Sequence, residues 1–290
     1  MSSSTSASPP SLSGRLEGKV ALITGGASGI GESIARLFIK EGSKICIIDT
    51  EDSSIGKTLC ADLGGDAHAQ YIHGDVTIER DVQQAVDLTV AKFGGLDVMV
   101  NNAGISGPNI TDIREYNMTD FNKVFDVNVN GVFLGIKHAA RIMIPRRKGS
   151  IISIASVASK VGGLGSHGYA GSKHAVVGLT KNVAAEMGQH GVRVNCVSPY
   201  AIPTKLLFDY RPDLLNSSTE VLEDYKTALI KFTETCANLK GVSLSSKDVA
   251  QAVLFLACDE SKYVSGLNLT VDGGFTSVNH TLQHFIPSHN

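Results

Sequence analysis

From Lys19 onward, short runs of β-branched and aliphatic residues alternate with longer stretches whose apolar positions recur at helical spacing. A parallel sheet with helices on both faces requires this alternation, because each strand must be followed by a crossover. The strands predicted are Val20–Thr24, Lys44–Asp49, Ala69–Gly74, Val98–Asn101, Gly149–Ile154, Arg193–Val197 and Asn268–Val271. Several are apolar almost throughout, as strands covered on both sides are. Helical segments are predicted near Gly29–Glu41, Ser54–Leu63, Glu79–Phe93, Thr119–Ile144, Gly168–Gln189 and Lys247–Cys258. From Pro203 to Leu244 the periodicity is weak and no strand stands out. That stretch reads as a lid of short helices over an active site, or as a surface excursion with no catalytic part.

The chain has 290 residues, 42% of them hydrophobic, enough to bury one large α/β core in a single domain. The domain is placed at residues 15–276, with the lid at about 203–244. Residues 1–14 are rich in Ser and Pro without an apolar run and are expected to be a disordered tail. Residues 277–290 form a C-terminal tail that folds across a neighbour or stays loose. A formal net charge of −2 with mixed signs leaves no extended basic face, which argues against nucleic acid and membrane as partners. The five cysteines are spread singly, without zinc-ligand spacing, so no metal is expected. They read as small buried hydrophobes in a reducing compartment, and the cytosol is the expected location.

The first strand runs into Thr24, Gly25, Gly26, Ala27, Ser28, Gly29, Ile30 and Gly31, a glycine-rich turn that opens a helix. A Cβ at Gly25, Gly29 or Gly31 would keep the backbone from closing on a pyrophosphate or on the sheet, while the helix N-terminus offers unpaired N–H donors to the anion. The second strand ends in Asp49, about twenty residues on, where a carboxylate can accept from both ribose hydroxyls of NAD and repel a 2′-phosphate. Glu51 and Asp52 add to that repulsion, and no Arg or Lys lies in the turn or just after Asp49, so NAD is preferred over NADP. Asp75 and Val76 end the third strand, where the carboxylate either bonds the adenine amino group or caps a turn.

Further motifs follow in order: Asn101, Asn102, Ala103 and Gly104 after the fourth strand; Asn128 within Asn-Val-Asn-Gly; Ser156 after the fifth; Tyr169 and Lys173; and Pro199 to Thr204 after the sixth. Together with the glycine turn they resemble the classical short-chain dehydrogenases/reductases, from Gly14 to about Thr276. The stretches His138–Gly149, Val183–Pro199 and Val271–Phe275 are most similar to a plant subgroup. It includes xanthoxin dehydrogenase, terpenoid alcohol dehydrogenases such as borneol dehydrogenase, and secoisolariciresinol dehydrogenase. The resemblance implies a Rossmann fold with a seven-stranded parallel, doubly wound sheet, an active site at the strand C-termini and a homotetramer. It also implies Asn102 and Gly104 on the adenosine side, and Thr204 with backbone near Ile202 on the nicotinamide carboxamide. One departure is Tyr200, which follows Pro199 where the family usually has Gly.

Tyr169 and Lys173 lie four apart on a predicted helix and so share one face. Oxidising an alcohol needs a base for the hydroxyl proton as hydride leaves the carbon, and a free phenol with pKa near ~10 is a poor one. Bringing it near neutrality takes about 4 kcal/mol, which one positive charge ~4 Å away supplies at an effective dielectric of ~20. Lys173, helped by the positive nicotinamide, is expected to do this. Ser156 would donate to the substrate oxygen, and on the family's pattern Asn128 would hold a water linking Lys173 to solvent. His167 and His174 are expected to be surface or packing residues.

The expected pocket walls are Ile105–Pro108, Val157–Leu164, Tyr200–Ile202, Leu206, Leu207, Phe208 and Tyr210. They are mostly apolar with no Arg or Lys cluster, which favours a compact hydrophobic alcohol or ketone over a phosphorylated, CoA-linked or carboxylate substrate. The expected activity is NAD-dependent interconversion of a terpenoid secondary alcohol and its carbonyl, borneol-like or xanthoxin-like. The alternative is an NAD-binding protein of the same fold that steers a terpenoid cyclisation or only binds a ligand.

Overall fold

The computed structural model describes residues 14–110, 112–208, 214 and 217–279. Most of both expected tails, and Tyr210 of the lid, lie outside the described residues. The strands are β1 (Val20–Thr24), β2 (Lys44–Asp49), β3 (Ala69–His73), β4 (Val98–Asn101), β5 (Gly149–Ile154), β6 (Val192–Pro199) and β7 (Asn268–Val271). They form one seven-stranded sheet in the order β3-β2-β1-β4-β5-β6-β7, every neighbouring pair parallel. The order reverses between β1 and β4, and at such a switch point the strand C-termini diverge and leave a crevice.

The helices are α1 (Gly29–Lys40), α2 (Ser53–Asp62), α3 (Glu79–Phe93), α4 (Met118–Phe125), α5 (Gly131–Arg146), α6 (His167–Gly188), α7 (Lys205–Phe208), α8 (Thr219–Cys236) and α9 (Ser246–Ala257). One face of the sheet buries Ile23, Ile34, Phe38, Val253 and Leu254 from β1, α1 and α9. The other buries Leu22, Met99, Ile136, Met143 and Val176 from β1, β4, α5 and α6. Each such side chain contributes roughly 1.5–3 kcal/mol on leaving water, so the two layers hold the crevice rim rigidly in place.

Three features differ from the sequence reading. The expected helix Thr119–Ile144 is broken by a π-helical turn, Asp126–Asn130, between α4 and α5. A π turn accommodates one more residue than an α turn, and here it carries the fully buried Asn128. The stretch expected to form a lid of short helices differs: α7 has four residues, but α8 runs for 18, opened by Ser218, whose hydroxyl accepts from the Val221 N–H. Its side chains are exposed or half-buried, with Thr233 alone among them buried. Of the cysteines, Cys46, Cys60, Cys196 and Cys258 are buried, but Cys236 at the end of α8 is exposed. Among the described residues, no helix is long and apolar enough to cross a membrane.

Candidate active site

The glycine turn leaves β1 through Gly25, whose N–H donates to the Ile48 carbonyl at 2.9 Å. Gly25 and Gly29 have φ of 62° and 56°, a left-handed backbone that other residues adopt only with strain. At Gly31 the reason is space, since a Cβ there would lie 2.0 Å from the Gly25 carbonyl oxygen. Asn102 straps this turn to β4: its Nδ2 donates to the carbonyls of Thr24 at 3.0 Å and Gly25 at 2.8 Å. The backbone N–H groups of Asn102 and Ala103 both donate to Thr24 Oγ1 at 3.0 Å. The Ser28 side chain does not cap α1, so the first N–H groups of that helix remain for an anion, and Ser28, Gly29 and Ile30 line the cleft beside them.

Asp49 lines the same cleft, with Oδ2 accepting from the Ala27 N–H at 2.9 Å and Oδ1 from the Glu51 N–H at 3.2 Å. Asp52 is drawn away to cap α2, accepting from the Ser54 N–H at 2.7 Å. Glu51 forms an ion pair with Lys205 of the lid, 154 residues away. The expected repulsion from Glu51 and Asp52 is therefore corrected: a lysine absent from the local sequence stands at that end of the cleft and offsets Glu51. Asp75 accepts from the Thr77 N–H at 2.8 Å, which is the turn-capping role, and with Val76 it also lines the cleft.

The reacting end lies across the switch point. Ser156 follows β5, is buried, and accepts from the Ala158 N–H at 3.1 Å. Tyr169 and Lys173 stand one turn apart near the start of α6, where the Ser166 hydroxyl accepts from the Tyr169 N–H at 3.1 Å and donates to the Ser106 carbonyl at 2.6 Å. Lys173 is 3% exposed, and its Nζ donates to the Ile154 carbonyl at 2.8 Å. Asn128 Oδ1 accepts from the Ile105 N–H at 2.9 Å, while Nδ2 donates to the Ile105 carbonyl and to Ser172 Oγ, each at 2.9 Å. A Cβ on Gly104 would lie 3.2 Å from Asn128 Oδ1, close enough to crowd it, and 3.5 Å from Lys173 Nζ, an ordinary contact.

Burial raises the Tyr169 pKa, and the neighbouring Ser156 hydroxyl draws it only partly back. Burial likewise lowers Lys173 to about 8. Burial thus draws both groups toward their neutral forms, as desolvation does for any ionisable side chain.

The cleft has a volume of about 550 Å³ and includes Pro199, Tyr200, Ala201, Ile202 and Thr204 after β6. The Thr204 N–H donates to the Ile202 carbonyl at 2.8 Å, and Thr204 Cγ2 lies 3.4 Å from where a Gly29 Cβ would be. Tyr200 fits where the family has Gly because its ring stacks on Phe275 at 4.4 Å while its N–H donates to Val271. Burial and Cys236 push its phenol up to about 12. The outer walls are Ile105, Ser106, Val157, Ala158, Leu164, Leu206 and Leu207. Gly107, Pro108, the segment 159–163 and Phe208 are not part of them; Phe208 turns inward onto the Tyr225 ring at 5.9 Å. Phe232 of α8 is a wall residue the sequence did not reveal. His167 and His174 are exposed, as expected.

Residues 25–276 match the family described as Enoyl-(Acyl carrier protein) reductase. The chain is 63% identical over 271 residues to zerumbone synthase of Zingiber zerumbet, covering 93% of this chain and 99% of that one. It is 61% identical to (+)-borneol dehydrogenase 2 of Salvia officinalis, covering 97% of each, and 55% identical to xanthoxin dehydrogenase of Arabidopsis thaliana, covering 93% and 94%. Among solved structures, 3-ketoacyl-(acyl-carrier-protein) reductase from Brucella melitensis, complexed with NADH, aligns with a TM-score of 0.78 at 30% identity. That alignment covers 90% of this chain and 99% of that one. The chain belongs to the short-chain dehydrogenase/reductase family of oxidoreductases.

Proposed function

We propose that this protein oxidises an apolar, terpenoid secondary alcohol to its carbonyl product with NAD, and runs the reverse reduction when the ratios demand it. The observation that carries this reading is that Ser156, Tyr169 and Lys173 all line one cleft with the glycine turn and Asp49. The cofactor is NAD: Gly25, Ser28, Gly29 and Ile30 would hold the pyrophosphate on a turn that Gly31 lets close, Asp49 would hold the ribose hydroxyls, and Asp75, Val76, Asn102, Ala103 and Gly104 would flank the adenosine side. Pro199, Ile202 and Thr204 hold the carboxamide. When bound, NAD would supply the hydride acceptor and a positive charge that favours the Tyr169 phenolate.

Ser156 donates to the alcohol oxygen and Tyr169 takes the hydroxyl proton as hydride leaves the carbon. The products are the ketone, NADH and one proton passed to solvent. Lys173 stabilises the phenolate, and Asn128 holds the Ile105 backbone and Ser172 in register around it. The apolar walls and the borneol and xanthoxin dehydrogenase relatives support an alicyclic alcohol over an acyl thioester. A homotetramer is proposed as the working form, with Met118 of α4 and Phe133 of α5 as exposed apolar side chains that an interface would cover.

Steady-state NADH formation over a panel of alicyclic alcohols, sugars and acyl thioesters tests the assignment. Turnover of borneol-like or xanthoxin-like alcohols is expected, whereas turnover only of sugars or thioesters would overturn it.

A further inference from the structure

Glu51 is held like a fixed post. Its N–H donates to Asp49 Oδ1 at 3.2 Å, and its carbonyl oxygen accepts from the Tyr71 hydroxyl and lies 3.2 Å from His73 Nδ1. The Tyr71 hydroxyl also lies 3.0 Å from the Asp49 carbonyl, so the backbone from Asp49 to Glu51 is tied to β3 on one side and to itself on the other. The Glu51 carboxylate therefore has little backbone freedom.

Lys205 is the first residue of α7 and reaches that carboxylate from the lid. The next residue, Leu206, offers its carbonyl to Ser106 Oγ at 3.1 Å, on the loop after β4. Two consecutive lid residues are thus fastened to opposite sides of the cleft, one beside the ribose-reading Asp49 and one beside the reacting end. Glu51, Lys205, Leu206 and Ser106 all line the cleft itself.

We propose that the Glu51–Lys205 ion pair is a latch across the ribose end of the cofactor cleft and sets the rate at which NADH leaves. The inference rests on the NAD reading above and adds a positioning role to two residues that make no chemical step. Lys205, Leu206 and Leu207 line the same cleft as Ser28, Gly29 and Asp49, so a dinucleotide bound along it would leave past α7. In many enzymes product release or lid opening, rather than chemistry, limits turnover. The pair is partly open to water, with side-chain exposures of 57% for Lys205 and 25% for Glu51, so its effect is a modest one on rate and is screened by salt.

The test is stopped-flow release of NADH, followed by its fluorescence, from the wild type, Glu51→Gln, Lys205→Met and the charge swap Glu51→Lys with Lys205→Glu. Both single variants are expected to release NADH about threefold faster. The charge swap should recover part of the loss, and added NaCl should speed release from the wild type more than from either variant. Unchanged release in both single variants would overturn the latch. So would slower release from Glu51→Gln beside faster release from Lys205→Met, because that opposite pair of signs means Lys205 grips the cofactor directly. A wild type that binds no NADH would instead remove the cofactor reading, and the latch with it.

Discussion

Lys173 Nζ stands 5.5 Å from the centre of the Tyr169 ring and is buried against the Ile154 carbonyl, to which it donates at 2.8 Å. The pair shares one pocket, but each group pays for its own desolvation. The phenol is raised, and the ammonium is lowered to about 8. Desolvation thus favours the neutral form of both groups.

A dependence of stability on pH follows from Lys173. Its folded pKa of about 8 lies below its ordinary 10.5, so between these values the unfolded chain binds more protons than the folded one. Stability from the neutral lysine is fully present above the unfolded value and is lost as pH falls through the folded one. Replacing it by Met removes this window. The wild type should gain on Lys173→Met by on the order of 3 kcal/mol between pH 8 and pH 10.5 in urea unfolding. A difference that does not vary with pH would contradict the burial described here.

Gly31→Ala should disable the cofactor site. The added Cβ meets the Gly25 carbonyl oxygen at 2.0 Å and Asn102 Nδ2 at 2.6 Å, and the first is backbone that cannot turn aside. NADH affinity in a fluorescence titration should drop at least about tenfold, and folding should weaken by about 1–3 kcal/mol. Wild-type affinity in this variant would mean that the turn does not close on the cofactor.

Asp49→Ala tests cofactor choice. With Glu51 offset by Lys205 and Asp52 turned to cap α2, Asp49 carries the discrimination against a 2′-phosphate largely alone. The ratio of kcat/KM for NAD to that for NADP should fall by about tenfold or more, equivalent to about 1.4 kcal/mol. An unchanged ratio would assign the preference elsewhere.

Tyr200→Gly restores the residue usual in the family and should cost stability. Tyr200 is buried and stacked on Phe275, so removing the ring opens a cavity between β6 and the turn after β7. A loss of about 3 kcal/mol is expected in chemical denaturation. A neutral effect would show that the stack contributes little.

What the sequence disclosed was whatever short spacing controls. The glycine turn with Asp49 and the Tyr169–Lys173 pair are legible because one strand, one turn or one helical face places them. Ser166 was within reach too, as a serine three residues before the N–H it caps. The Lys205–Glu51 pair was not legible, since 154 residues separate its members and only the lid's path joins them. Phe232 was hidden because it is an exposed residue of α8 and only the path of the chain brings it to the cleft wall. The π turn escaped because Asp126–Asn130 reads as continuous helix, and the extra residue has no marker in composition. The desolvation of Tyr169 and Lys173 was not legible either: a charge pair can be read from spacing, whereas desolvation depends on everything packed around it.

The central claim is that Tyr169 transfers the proton when hydride moves to NAD, and Tyr169→Phe tests it with a loss of only one hydroxyl. In single-turnover measurements with a borneol-like alcohol, NADH formation should fall by about 10²- to 10⁴-fold. NADH binding and thermal stability should stay near wild type. NADH formation at the wild-type rate in this variant would contradict the account.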